Sequence, residues 1–246
     1  MPESVVLLHG FGGTGRTWDG VVARLDRERY MPLALDLPGH GSERDCERPI
    51  TFPRCVARVL ERAPERFSLC GYSLGGRIAL QLVLAAPQRV RTLVLVSTSA
   101  GIEDPLLRAA RRHSDDRLAA ELRTGDLEGF IARWRSQPLF AGEPPEVGAL
   151  ARTDHRRNDP SALADALSGL SVGRMEPAWD RLGELDLPVT LVVGERDERY
   201  RALARRMVAL LPAAALRTVA GGHALVLENP AAVAGVLQGL DPEPRR

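Results

Sequence analysis

The most restrictive feature of the sequence is a set of short, unbroken apolar runs, each ending in a glycine-rich turn. Val5-Val6-Leu7-Leu8 leads into His9-Gly10-Phe11-Gly12-Gly13, and Leu33-Ala34-Leu35 into Asp36-Leu37-Pro38-Gly39-His40-Gly41. Phe67-Ser68-Leu69-Cys70 leads into Gly71-Tyr72-Ser73, and Leu93-Val94-Leu95-Val96 into a turn ending at Gly101. Apolar runs without polar alternation suit strands covered on both faces, the condition of a parallel sheet flanked by helices. The pattern resumes at Val189-Thr190-Leu191-Val192-Val193 and again over 216–219.

Between these two sets the strand signal disappears. Residues 102–185 read as helices over about 105–122, 127–136, 145–153 and 161–170, the first with Pro105 in its opening turn. The halves on either side are each too short to close a sheet alone. The expected organisation is therefore an α/β core, 1–101 with 186–246, and a helical lid, 102–185, over the sheet's carboxyl edge, where open α/β sheets bind ligands. The terminal segment 241–246 is expected to fray.

Composition removes several chemistries. All 33 residues counted as Lys+Arg are arginine, so Schiff-base, pyridoxal-phosphate and phosphate-loop lysine mechanisms are excluded. Against 32 Asp+Glu the net charge is +1, which offers no bulk field for nucleic acid or an anionic membrane. Cys46, Cys55 and Cys70 lack metal-ligand spacing and form no disulfide framework. The chain enters its first apolar run directly after Met1-Pro2-Glu3-Ser4, and no run approaches the roughly 18 residues of a membrane span. A cytoplasmic protein without metal or cofactor is expected, and its oligomeric state is not legible.

Gly71-Tyr72-Ser73-Leu74-Gly75 matches G-x-S-x-G between an apolar run and a helical pattern over 76–86. That context makes Ser73 a nucleophile on a tight strand-to-helix turn. A serine hydroxyl needs a base and an orienting acid, which follow such a turn in the order acid, then histidine. His9 and His40 lie upstream, and His113 and His155 fall in the helical block. His223, after the last apolar run, is the candidate base, with Asp197 in Gly194-Glu195-Arg196-Asp197 as the acid and Glu195 as the competing carboxylate. Developing negative charge would be met by the backbone N–H groups of Leu74 and Phe11.

Together, His9-Gly10-Phe11, Asp36 to Gly41, the serine turn, Gly194-Glu195-Arg196-Asp197 and Gly222-His223 resemble the α/β-hydrolase superfamily over nearly the whole chain. Within it, the sequence looks most like the 2-succinyl-6-hydroxy-2,4-cyclohexadiene-1-carboxylate synthases of the menaquinone pathway. The likeness rests on Gly71 to Arg77, Arg111-Arg112-His113-Ser114-Asp115, Trp134 with Gln137-Pro138-Leu139-Phe140, and Gly194 to Asp197 running into Arg201-Ala202-Leu203-Ala204. It implies a lyase that eliminates pyruvate from 2-succinyl-5-enolpyruvyl-6-hydroxy-3-cyclohexene-1-carboxylate, with Ser73 acting as a base.

A substrate with three carboxylates calls for arginine forks. Arg77 lies one turn past Ser73, where a cation opposes the helix dipole; a compensating anion or a structural carboxylate would each account for it. The resemblance makes Arg111 a carboxylate ligand, although an i,i+4 pair with Asp115 is the plainer reading. Trp134 and Tyr72 are expected to line the pocket or to pack beside it. The family carries a further arginine before an Asn-containing turn; His155 aligns there, Arg152, Arg156 and Arg157 are near, and Arg156 is the choice. Two rivals stay open: an ester or carbon–carbon bond hydrolase using the same triad, and a small-molecule-binding protein on the same scaffold.

Overall fold

A computed structural model describes residues 2–239; the segment expected to fray lies outside them. Six parallel strands form one sheet: β1 (Glu3–Leu8), β2 (Tyr30–Leu35), β3 (Phe67–Tyr72), β4 (Val90–Val96), β5 (Val189–Gly194) and β6 (Ala214–Val219). Their order is β2-β1-β3-β4-β5-β6. Ten α-helices accompany them among the described residues: α1 (Asp19–Val22), α2 (Phe52–Arg62), α3 (Leu74–Ala85), α4 (Pro105–Leu122), α5 (Leu127–Arg135), α6 (Pro145–His155), α7 (Pro160–Gly169), α8 (Glu198–Val208), α9 (Leu225–Glu228) and α10 (Pro230–Gln238).

The apolar runs alternate between two buried faces, because successive side chains of a strand point to opposite sides. Val6, Leu8, Leu69, Leu93, Leu95, Leu191 and Val193 face a core shared with α2, α3 and α8. Val5, Leu7, Cys70, Val94, Val96 and Val192 face a second core with Trp18, Leu225 and Val233. Each fully buried Leu or Val contributes about 1.5–3 kcal/mol. β6 is an edge strand, and its Arg217 and Thr218 are exposed.

The four helices α4–α7 lie between β4 and β5. Their starts are legible because aspartates cap three of them: Asp104 accepts from Leu106 N and Leu107 N, Asp126 from Gly129 N, and Asp159 from Ala162 N. Pro105 and Pro160 occupy first-turn positions that need no N–H. Ala119, Leu122, Phe130, Leu163, Ala164 and Leu167 form the segment's own apolar cluster, while Ala166 and Leu170 join the sheet's core. No helix among the described residues is long and apolar enough to cross a membrane.

Strand order also places the site. From β1 the chain steps to β2 on one side, then returns to β3 on the other, so the order reverses between β1 and β3. Ligands of open α/β sheets bind in the crevice at such a switch point, beyond the strands' carboxyl ends. The register pairs Leu8 with both Leu35 and Gly71, and Tyr72 with Val96, so the turns after these strands emerge on one edge.

Candidate active site

Ser73 joins β3 to α3 with φ 51° and ψ −106°, a left-handed conformation that non-glycine residues rarely adopt. Its N–H donates to Val96 O (2.9 Å), and its carbonyl accepts from Thr98 Oγ1 (2.7 Å). The flanking glycines are required by contact rather than by flexibility. A Cβ on Gly71 would collide with the carbonyl of Gly75, and one on Gly75 with the carbonyl of Leu8.

His223 Nε2 lies 3.2 Å from Ser73 Oγ, and its Nδ1 lies 2.8 Å from Asp197 Oδ2. Both His223 and Asp197 are buried. A carboxylate accepts only, so Nδ1 carries the proton donated to Asp197 and Nε2 offers its lone pair to the Ser73 hydroxyl. Glu195 is exposed and has no place in this arrangement. The backbone N–H groups of Phe11 and Leu74 have no hydrogen-bond partner among the described residues, as donors kept for a substrate oxyanion would not.

The Phe11 loop is held from below. Leu37 N donates to His9 Nε2 (3.0 Å), and His9 Nδ1 donates to Gly10 O (2.8 Å). It is also held from the side: Asn158 Nδ2 donates to Gly12 O (2.6 Å), while Asn158 Oδ1 accepts from Gly41 N (2.9 Å). The histidines here are buried and stay neutral: burial lowers His9, and takes His40 to about 3 and His155 to about 4.

A cavity of about 520 Å³ opens over Ser73, lined among others by Arg77, Arg111, Trp134, Tyr200 and His223. Arg77 makes no ion pair among the described residues, and its buried Nε has no partner. Burial pulls its guanidinium down to about 10, with Tyr200 and Asp115 opposing and Arg111 and Arg199 adding to the fall. The structural-carboxylate account of Arg77 is thus not what the fold provides. Arg111 makes the plainer pair, its Nε lying 2.9 Å from each oxygen of Asp115, and its side chain lines the cavity. Asp115 also accepts from Ser171 Oγ (2.6 Å). Asp116 turns away from Arg112 to Arg174 (3.0 Å) and Ser168 (2.6 Å).

Trp134 lines the cavity, 4.7 Å from the Phe11 ring and stacked on Phe130 at 5.8 Å. Tyr72 packs against His223 at 5.6 Å and against the Gly10 backbone; burial raises its phenol. Arg156 corrects the sequence reading. Just past the end of α6, its Nε and Nη2 reach Glu128 of α5 at 2.7 and 2.9 Å, with half of the side chain in solvent, and it does not line the cavity. The aligned position, His155, is buried against Gly12. Arg157 sits near Asp154 (3.6 Å).

Four residues around the site were not singled out individually from the sequence. Tyr200 and Phe140 place their rings 4.6 and 6.0 Å from that of His223. Arg199 lines the large cavity, and Arg135 lines a smaller one behind Ser73. Adjacency to Asp197 and to Trp134 was the available signal. No group of His, Cys, Asp and Glu among the described residues could hold a metal ion.

A family model described as "Alpha/beta hydrolase family" matches residues 5–236. The 2-succinyl-6-hydroxy-2,4-cyclohexadiene-1-carboxylate synthase of Enterobacter sp. (strain 638) is 33% identical over 95% of this chain and 89% of its own length. The pimeloyl-[acyl-carrier protein] methyl ester esterase of Nitrosomonas europaea is 29% identical over 78% of this chain and 77% of its own. The solved structure of MenH from S. aureus superposes with a TM-score of 0.90 at 29% identity, covering 96% of this chain and 92% of that one.

Proposed function

The chain belongs to the α/β hydrolase family, and on that premise we propose that it is a carbon–oxygen lyase. It eliminates pyruvate from 2-succinyl-5-enolpyruvyl-6-hydroxy-3-cyclohexene-1-carboxylate and leaves 2-succinyl-6-hydroxy-2,4-cyclohexadiene-1-carboxylate. The observation that carries this reading is Arg77, a guanidinium without an ion-pair partner among the described residues, in the same cavity as Ser73. A half-buried cation whose buried Nε has no partner among the described residues calls for an anionic ligand, and a carboxylate matches its fork. Relatives named for the product, 33 and 32% identical, support it.

The site supplies each step. Asp197 holds His223 so that Nε2 takes the Ser73 proton, and the serine oxygen removes the C2 proton of the substrate, acidified by the adjacent succinyl ketone. The enolate oxygen formed is met by the N–H groups of Phe11 and Leu74. Its electrons return through the ring double bond to C5 and expel the enolpyruvyl oxygen. The leaving enolate gains a proton and becomes pyruvate, balancing the proton removed from the ring. In this reading residues 102–185 are a lid that brings Arg111 and Trp134 over the core, 1–101 and 186–246. The three free thiols suit a cytoplasmic location.

The test is incubation with this substrate, with pyruvate read by a coupled dehydrogenase, beside p-nitrophenyl esters of short acids. Stoichiometric pyruvate release with slow ester cleavage is expected. Rapid ester turnover without pyruvate would overturn the lyase assignment in favour of a hydrolase, and binding without any turnover in favour of a receptor.

A further inference from the structure

Ser73 stands between two cavities. The large one holds Arg77 and Arg111; the other, about 50 Å³, is lined by Tyr72, Trp134, Arg135, Phe140 and His155. Ser73 and His223 face both.

Arg135 is an unusual wall residue. Its side chain is 8% exposed and that of its partner Glu143 is 9%. The pair is joined through Nη2, and the guanidinium carbon lies 3.8 Å from the Phe140 ring centroid. Arg135 Nε has no partner among the described residues, nor has His155 Nε2 in the same wall. Burying two charges is costly, and leaving a guanidinium N–H unsatisfied adds to the cost, so apolar side chains of equal volume would build this wall as well. A donor kept for a ligand accounts for what is there.

We propose that Arg135 binds the carboxylate of the small leaving acid, so that the substrate lies across Ser73 with its enolpyruvyl arm in the Arg135 chamber and its ring and succinyl arm toward Arg77 and Arg111. This assignment rests on the lyase reading. The assignment follows relative size: the three-carbon leaving acid is the smaller part of the substrate and takes the smaller space, which must widen to admit it. Glu143 fixes the guanidinium through Nη2 and leaves Nε for the ligand. Burial raises the Glu143 carboxyl, so that it more readily takes a proton and yields its charge when a second carboxylate approaches.

The experiment is calorimetric titration of the whole protein with pyruvate and, separately, with succinate. Wild type, Arg135→Met/Glu143→Gln, Arg135→Lys and Arg77→Met are compared. The double variant removes both charges together, so no lone buried ion remains; circular dichroism melts report its folding, and Arg135→Lys serves if it does not fold. Pyruvate binding should weaken at least about tenfold in the double variant and several-fold in Arg135→Lys, and change less than about twofold in Arg77→Met, which should instead lose succinate. The proposal is overturned if wild type shows no saturable pyruvate binding, if the folded Arg135 variants bind pyruvate like wild type, or if Arg77→Met is the variant that loses it. Turnover is read separately: Arg135-dependent pyruvate binding with no pyruvate released from the full substrate would sink the lyase reading and leave the site standing.

Discussion

Asp154 accepts hydrogen bonds from both the backbone nitrogen (2.9 Å) and the hydroxyl (2.5 Å) of Thr14, 140 positions away in the chain. Thr17 Oγ1 adds a third at 2.8 Å. The carboxylate thereby ties α6, far along the chain, to the turn that follows Phe11, whose N–H has no partner among the described residues. Replacing Asp154 by alanine leaves three donors without their acceptor and should cost about 2–4 kcal/mol in urea unfolding. It should also lower kcat by loosening the Phe11 loop. A variant as stable as wild type would remove Asp154 from this role.

Asp197 and Glu195 stand two residues apart, and only Asp197 reaches His223. Asp197→Asn should lower kcat by about 10⁴, because an amide does not hold the histidine in the tautomer that receives the serine proton. Glu195→Gln should stay within about twofold of wild type. Steady-state rates of pyruvate release decide between them, and equal losses would contradict the assignment.

Arg77→Met gives an outcome that an ordinary structural arginine would not. Since no carboxylate partner is lost, stability should be unchanged or improved, while KM for the anionic substrate rises at least about tenfold. Arg156→Ala, which removes only the pair with Glu128, should leave kcat and KM alone. Thermal melts alongside the kinetics check both; marked destabilisation of Arg77→Met would return that residue to a structural role.

The buried histidines set an acid limit on stability. His155 titrates at about 4 in the fold against an ordinary 6.5, and His40 at about 3, burial being the main cause for each. Below 6.5 the unfolded chain binds a proton that the folded chain refuses. The stability tied to each is therefore complete above pH 6.5 and is lost as pH falls, toward 4 for His155 and toward 3 for His40, by roughly 3 kcal/mol for His155 and more for His40. Unfolding free energies measured across that window should fall less steeply for His155→Gln than for wild type. Parallel slopes would show that His155 does not contribute.

Much of this protein was legible in its sequence, for a local reason. Burial on both faces writes itself as unbroken apolar runs, helix starts are written by Asp104, Asp126 and Asp159, and the serine turn needs Gly71 and Gly75 at fixed places because backbone carbonyls press on them. Ser73, Asp197 and His223 could be named because each follows a strand whose end is readable. The arginines were different. They all carry one charge and one shape in the sequence, and what each does depends on which carboxylate stands within about 3 Å after folding. Only the tertiary structure left Arg77 without a partner among the described residues, gave Glu128 to Arg156 and Glu143 to Arg135, and joined Asp154 to Thr14. Ion pairing is decided by distance through space between residues remote in the chain, and no local pattern records that distance.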